Sequence, residues 1–176
     1  MPSCLIRPST AEVLPAITTI HANAVLAGIS SFETEPPMQT EVARRPDKVL
    51  AKGLPWLVAE TSGGVLGSGC ATPYRPRQAY RFSVEDSVYL RRDALGQGLG
   101  RLLLAELIGR CADRGARQLL AVIGDSANSG TIAQHRSLGF EPAGRFSGVG
   151  RKLARWLDIV LMQPALGAGA TAALDA

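Results

Sequence analysis

Histidine and cysteine are scarce, with two histidines and three cysteines in 176 residues. Cys4, Cys70 and Cys111 lie far apart, and no C-x-x-C pair occurs, so a metal site is poorly supplied and none is expected. The three thiols read as the reduced cysteines of a cytoplasmic protein. No apolar run approaches the roughly 18 residues of a membrane span, and MPSCLIRPST lacks the apolar core of a signal peptide. Neither a membrane nor the secretory route is therefore expected. Basic residues nowhere run to five in a row, which argues against nucleic acid as a partner. The net charge of +4 and pI near 9.3 still favour a small anionic ligand.

What is present suits one domain with its own core. The chain is 46% hydrophobic and 19% charged, and 176 residues suffice to bury a core without staples. A short strand in SCLIRPST precedes a helix through AEVLPAITTIHANAVL, with Ser9 or Thr10 as N-cap and Pro15 forcing a late start or a bend. FETEPP is a loop, and a polar helix is expected from about Gln39 to Lys52. PWLVAETSGGVLGSGCATPY reads as a hairpin turning at Gly63-Gly64, followed by the arginine-rich loop YRPRQAYRF and the strand SVEDSVYL. Leu104, Leu107, Ile108 and Cys111 repeat at helical spacing, and Gly115 closes that helix. QLLAVIG is apolar throughout, as in a strand buried on both faces. A helix from Asn128 to before Gly139 and strands around EPAGRFSGV and RWLDIVLMQ complete a mixed α/β chain on one sheet. Residues 1–165 form the expected domain, and the low-complexity stretch 166–176 an expected flexible tail.

Three glycines at alternate positions, Gly96, Gly98 and Gly100, run straight into the leucine-rich helix. A Walker loop would end in Gly-Lys-Ser/Thr, whereas Gly100 is followed by Arg101 and Leu102. A dinucleotide fingerprint needs G-x-G-x-x-G and an acid about 20 residues on, and both are missing. A strand, a glycine turn and a helix N-terminus can still seat a pyrophosphate on free amides. A turn that merely lets helix and strand approach closely reads equally well from the loop alone.

SVYLRRDALGQGLGRLLL followed by ANSGTIAQHRSLGF resembles the GNAT superfamily of acetyl-CoA-dependent N-acetyltransferases. The family loop, Arg/Gln-x-x-Gly-x-Gly/Ala, falls on Leu95–Gly100, with Leu95 departing at the first position. SFETEPP, PWLVAE, AYRFSVEDSVY, LLAVIG and RWLD, in that order, resemble the phosphinothricin and methionine-sulfoximine acetyltransferase branch. The resemblance implies a GNAT fold: a mostly antiparallel mixed sheet of about seven strands, about four helices, and a V-shaped cleft at the central strands. It implies acetyl-CoA as co-substrate, a small amino acid as acceptor, direct transfer without a covalent enzyme intermediate, and a homodimer. A broader amine or peptide N-terminal acetyltransferase, and an acetyl-CoA-binding module without transfer, are the alternatives.

Residue by residue, the resemblance implies Glu85 as general base and His135 as candidate acid or substrate contact. The pantetheine arm would pair with the main chain of Val88, Tyr89 and Leu90. The pyrophosphate would sit on Gly96, Gln97, Gly98, Leu99, Gly100 and Arg101, with Asn128 reaching the cofactor. Around the substrate it places Phe32, Glu33, Tyr74, Arg75, Pro76, Arg77, Glu85, Asp86 and Ser87, with Arg75 foremost for a carboxylate. Asp86 points to the opposite face from Glu85 and reads as a solvated carboxylate. Trp156 suits either the far wall of the pocket or the core, and His21 a structural place. GDSANSG from Gly124 has the look of a serine-esterase string, but no histidine follows His135 to activate Ser126.

Overall fold

The computed structural model describes residues 4–171, except the side chain of Gln39. Strands β1 (Leu5–Pro8), β2 (Trp56–Thr61), β3 (Gly64–Pro73), β4 (Ser83–Leu90), β5 (Gln118–Gly124), β6 (Glu141–Lys152) and β7 (Arg155–Gln163) form one sheet. Helices α1 (Leu14–Ala27), α2 (Gln39–Leu50), α3 (Leu99–Asp113) and α4 (Ser129–Arg136) cover its faces. The strand order is β1-β2-β3-β4-β5-β7-β6. Every pairing is antiparallel except β4 with β5, as the α3 crossover between them requires.

Local chemistry accounts for the elements and for small departures from expectation. Pro15 stands in the first turn of α1, where its missing N–H costs nothing, so α1 begins late. A 3-10 turn over Ala11–Val13 precedes it, and Thr10 makes no side-chain cap there. Pro46 lies inside α2, and its neighbours Val42 and Val49 turn to the sheet. Asn128 caps α4, its Oδ1 accepting the Thr131 N–H at 3.3 Å. β6 runs to Lys152, longer than expected, because bulges between Pro142 and Gly144 and between Phe146 and Gly150 let it stay paired with β7.

The core has two halves. Leu103, Leu104, Leu107 and Cys111 of α3, all fully buried, press against the face where Gly67 and Gly69 leave room for Leu103. Ile17 and Ile20 of α1 and Val49 of α2 cover the other face over β2–β4, with Val42 of α2 buried beside them. One expectation is corrected. Trp156 is 67% exposed on β7 of the outer hairpin, so it belongs to no core. In the stretch that follows residue 165, Leu166 is buried, and its N–H donates to the Arg117 carbonyl. Residues 172–176 lie outside the described residues.

Candidate active site

The two central strands part company midway. β4 pairs with β5 only over Ser83–Glu85 against Gln118–Leu120, and from Ala121 onward β5 pairs with β7. Beyond Glu85 one edge of β4 therefore carries unpaired backbone N–H and C=O groups. The right-handed twist carried by each strand widens the gap into a V. The V opens into a cleft of about 1150 Å³, lined by Glu85–Leu90 on one side and Ala121–Asp125 on the other. Asn23, Ala24 and Ala27 of α1, with the loop to Phe32, form a further wall. Thr131, Gln134 and His135 of α4 close the opposite end.

Alternation along β4 sorts its side chains. Glu85, Ser87 and Tyr89 face α1 and α2, whereas Asp86 and Val88 face α3 and α4. Glu85 is half-buried, and no side chain among the described residues forms a hydrogen bond or ion pair with it. Burial raises its pKa above the ordinary carboxylate value, the Asp86 charge adds to this, and Arg75 opposes it.

Asp86 corrects the sequence reading. It is not solvated but buried, with Oδ2 at 3.3 Å from Nε2 of His135. The β4 side chains facing α3 lie under a helix, so an alternating pattern with no solvent face puts a carboxylate indoors. Nδ1 of His135 lies 2.8 Å from the Thr131 carbonyl, and the ring stands edge-on to Phe140. Both ring nitrogens thus meet acceptors, which assigns a proton to each. Burial works against the imidazolium, but the Asp86 hydrogen bond and charge and the Thr131 carbonyl outweigh it, and the pKa is raised.

The glycine turn is built as its sequence suggests, with φ of +74° at Gly96 and +79° at Gly98, where side chains are strained. Gly98 stands at the N-cap of α3, so the first N–H groups of the helix are free. Leu95 and Gly100 of this segment line the cleft, together with Arg92; Gly96, Gln97, Gly98, Leu99 and Arg101 do not. Gln97 turns back to donate to the Asp93 carbonyl at 2.8 Å. Asn128 lines the cleft.

The expected substrate residues divide. Phe32, Glu85, Asp86 and Ser87 line the cleft, and Tyr74, Arg75, Pro76, Arg77 and Glu33 do not. Arg75 is exposed, its guanidinium 5.0 Å above the Tyr74 ring. Glu33 instead bonds Arg45 at 2.6 Å and lies 3.2 Å from Nε2 of buried His21, whose ring is edge-on to Tyr89. Trp156 does not line the cleft either. Sequence reasoning missed the clamp on the Ile29–Phe32 loop. Lys152 donates to the Ser31 carbonyl, and Phe32 packs where Gly124 and Gly150 lack a Cβ. Two glycines on separate strands, 26 positions apart, gave no local signal. Ser126 donates to Asp158 at 2.7 Å rather than meeting a histidine, which disposes of the esterase string.

Among the described residues no helix is long and apolar enough to cross a membrane, and no group of three or more His, Cys, Asp or Glu is placed to hold a metal. A sheet split at a parallel pair, with a bare backbone edge and a helix N-terminus at the split, makes a cleft that can take an extended ligand ending in an anion. The profile of the Acetyltransferase (GNAT) family matches residues 24–140, and the chain belongs to that family. It is 52% identical to the phosphinothricin N-acetyltransferase of Alcaligenes faecalis over 96% of this chain and 86% of that one. It is 39% identical to the L-methionine sulfoximine/L-methionine sulfone acetyltransferase of Pseudomonas paraeruginosa, over 92% of this chain and 94% of that one. The crystal structure of a GNAT superfamily phosphinothricin acetyltransferase from Sinorhizobium meliloti, in complex with AcCoA, superposes with a TM-score of 0.93. Its sequence is 43% identical, and the match covers 97% of this chain and 92% of that one.

Proposed function

We propose that the protein transfers the acetyl group of acetyl-CoA to the α-amino group of a small amino acid such as methionine sulfoximine, methionine sulfone or phosphinothricin. The observation that carries this reading is Glu85, a half-buried carboxylate with a raised pKa and no ion pair among the described residues, at the point where β4 and β5 separate. The curated relatives named above act on amino acids of this kind.

The residues present fit acetyl-CoA. The unpaired edge of β4 at Val88–Leu90 suits the amides of a pantetheine arm as an added strand. The free N–H groups at the start of α3 suit a pyrophosphate, because donors and helix dipole both favour an anion there. Asn128 stands at the rim of the same cleft. Bound there, acetyl-CoA supplies an activated thioester.

The chain supplies the proton chemistry. Glu85 takes a proton from the substrate ammonium, directly or through one water, since only the free amine is nucleophilic. With acetyl-CoA bound, the amine nitrogen would bond to the acetyl carbon as the carbon–sulfur bond breaks. The nitrogen would give up its second proton to solvent, and the sulfur would leave with a proton of its own. His135, whose pKa Asp86 raises, lines the same cleft and would give that sulfur the Nε2 proton it otherwise shares with Asp86. Arg75 supplies positive charge for the substrate carboxylate from the adjacent loop. The outer hairpin leaves Phe146, Val149 and Trp156 more than half exposed, which supports a homodimer through this edge.

The test is thiol release from acetyl-CoA with a panel of methionine sulfoximine, methionine sulfone, phosphinothricin, alanine and an alanine-terminated peptide. The expected result is turnover of the free amino acids well above the peptide. Release with the peptide alone, or with no amine, overturns the assignment.

A further inference from the structure

A second chamber, of about 320 Å³, lies on the face of the sheet beneath α1 and α2. It is at the small end of the range for ligand sites, roughly 300–1,000 Å³. Ser87 and Tyr89 line both this chamber and the large cleft, so the two adjoin along β4. The strand register fixes where it begins. Thr72, on its floor, is the direct partner of Glu85 across β3 and β4, and Cys70 is the partner of both Ser87 and Trp56. Directly opposed residues have Cβ atoms about 5 Å apart. The floor therefore starts beside Glu85 and runs two strands inward to Trp56.

The lining is not that of a packing defect. Engineered apolar cavities are lined by hydrocarbon and stay dry, whereas this floor carries the hydroxyls of Ser68, Thr72 and Ser87. Trp56 is only 7% exposed, and its buried indole N–H has no hydrogen-bond partner among the described residues. A buried N–H without a partner is costly, so an acceptor brought by a ligand is stabilising there. Ile17, Val42 and Val49 supply apolar walls, and Lys48 and Arg45, the latter paired with Glu33 and Glu41, complete the lining.

Resting on the amino-acid acetyltransferase reading, we propose that this chamber receives the side chain of the amino acid whose α-amino group meets Glu85. Ser68 and Thr72 are then specificity residues that read acceptor oxygens at the end of a short side chain, as in a sulfone, sulfoximine or phosphinate. The apolar walls take its methylene stem.

Two variants and one binding measurement test this. Cys70→Leu adds bulk at the middle of the floor. It is expected to lower kcat/KM for methionine sulfone by about 30-fold, within the cost range of overpacking, while alanine and the KM for acetyl-CoA change little. A parallel loss for both amino acids, or for neither, overturns the proposal. Thr72→Val keeps the shape and removes only the hydroxyl, so it remains informative if Cys70→Leu does not fold. It should reduce the preference for methionine sulfone over norleucine by about threefold to tenfold, the span of one neutral hydrogen bond. An unchanged preference in both Thr72→Val and Ser68→Ala overturns the role of the hydroxyls. Trp56 lines the chamber, and the chain has only two tryptophans, so Trp156→Phe leaves a single reporter. Methionine sulfone without acetyl-CoA should shift its fluorescence saturably, and Cys70→Leu should remove the shift. Binding without turnover of any amino acid would overturn the acetyltransferase reading and keep the chamber. Turnover without a fluorescence shift would overturn the chamber and keep the reading.

Discussion

Replacing Glu85 by glutamine changes one oxygen for an amide nitrogen and removes the only role a base can play. The structure sets the size of the effect. Glu85 has no hydrogen bond or ion pair among the described residues to break, and its burial penalises the charge, so the neutral amide costs the fold nothing. Thermal stability should stay within about 0.5 kcal/mol of wild type, the usual range for a side chain outside a bonded network. A positioned base contributes about 10²–10⁴ in rate, which is roughly 2.7–5.4 kcal/mol of transition-state stabilisation. kcat for methionine sulfone should fall by that factor. The pH profile gives the sharper readout. Because burial and Asp86 raise the Glu85 pKa, the wild-type kcat/KM should climb with pH through a value above 4.5, as the carboxyl loses its proton and becomes a base. Glu85→Gln should lack that limb. Steady-state thiol release between pH 5 and 9 measures both. A variant within tenfold of wild type that keeps the same acidic limb would refute Glu85 as the base.

Three other perturbations address the parts around it. Asp86→Asn removes the charge that keeps His135 protonated. The folded pKa of His135 is raised, so the pair's stabilisation is fully present below about 6.5, the unfolded value, and lost as pH rises through the folded one. The difference in melting temperature between wild type and Asp86→Asn should therefore be largest near pH 6 and shrink towards pH 9; a constant difference argues against a charged His135. Gly150→Ala places a Cβ on the Phe32 ring. It should cost about 1–3 kcal/mol by overpacking and raise the KM for the amino acid more than that for acetyl-CoA, checked by denaturant melts and kinetics. Leu107→Ala deletes a fully buried α3 side chain. It should cost about 2–5 kcal/mol by urea unfolding, and a loss below 1 kcal/mol would show that α3 repacks around the gap.

The order of elements was legible in the sequence because each carries a local signal. Leucines at helical spacing announced α3, a wholly apolar run announced the buried β5, and Gly98 at positive φ stands where the glycine string placed a turn. Glu85 and Asn128 were reached through the resemblance of their strings to a known family, and both line the cleft. Chemical pairing across the fold was not legible. Asp86 looks like any strand carboxylate until α4 brings His135 to it from 49 positions away. Glu33 looks like a pocket residue until α1 and α2 supply His21 and Arg45. The clamp of Lys152 on Ser31 joins residues 121 positions apart. The sequence by itself determined which segments become strands and helices, and that a glycine turn leads into α3, because propensity and periodicity act over a few residues. Only the tertiary structure decided that β4 and β5 separate after Glu85, that Asp86 is buried, and that a polar-floored chamber opens beside the base. Those depend on strand register and on which helix covers which face, and such contacts are made between residues that share no neighbourhood in the chain.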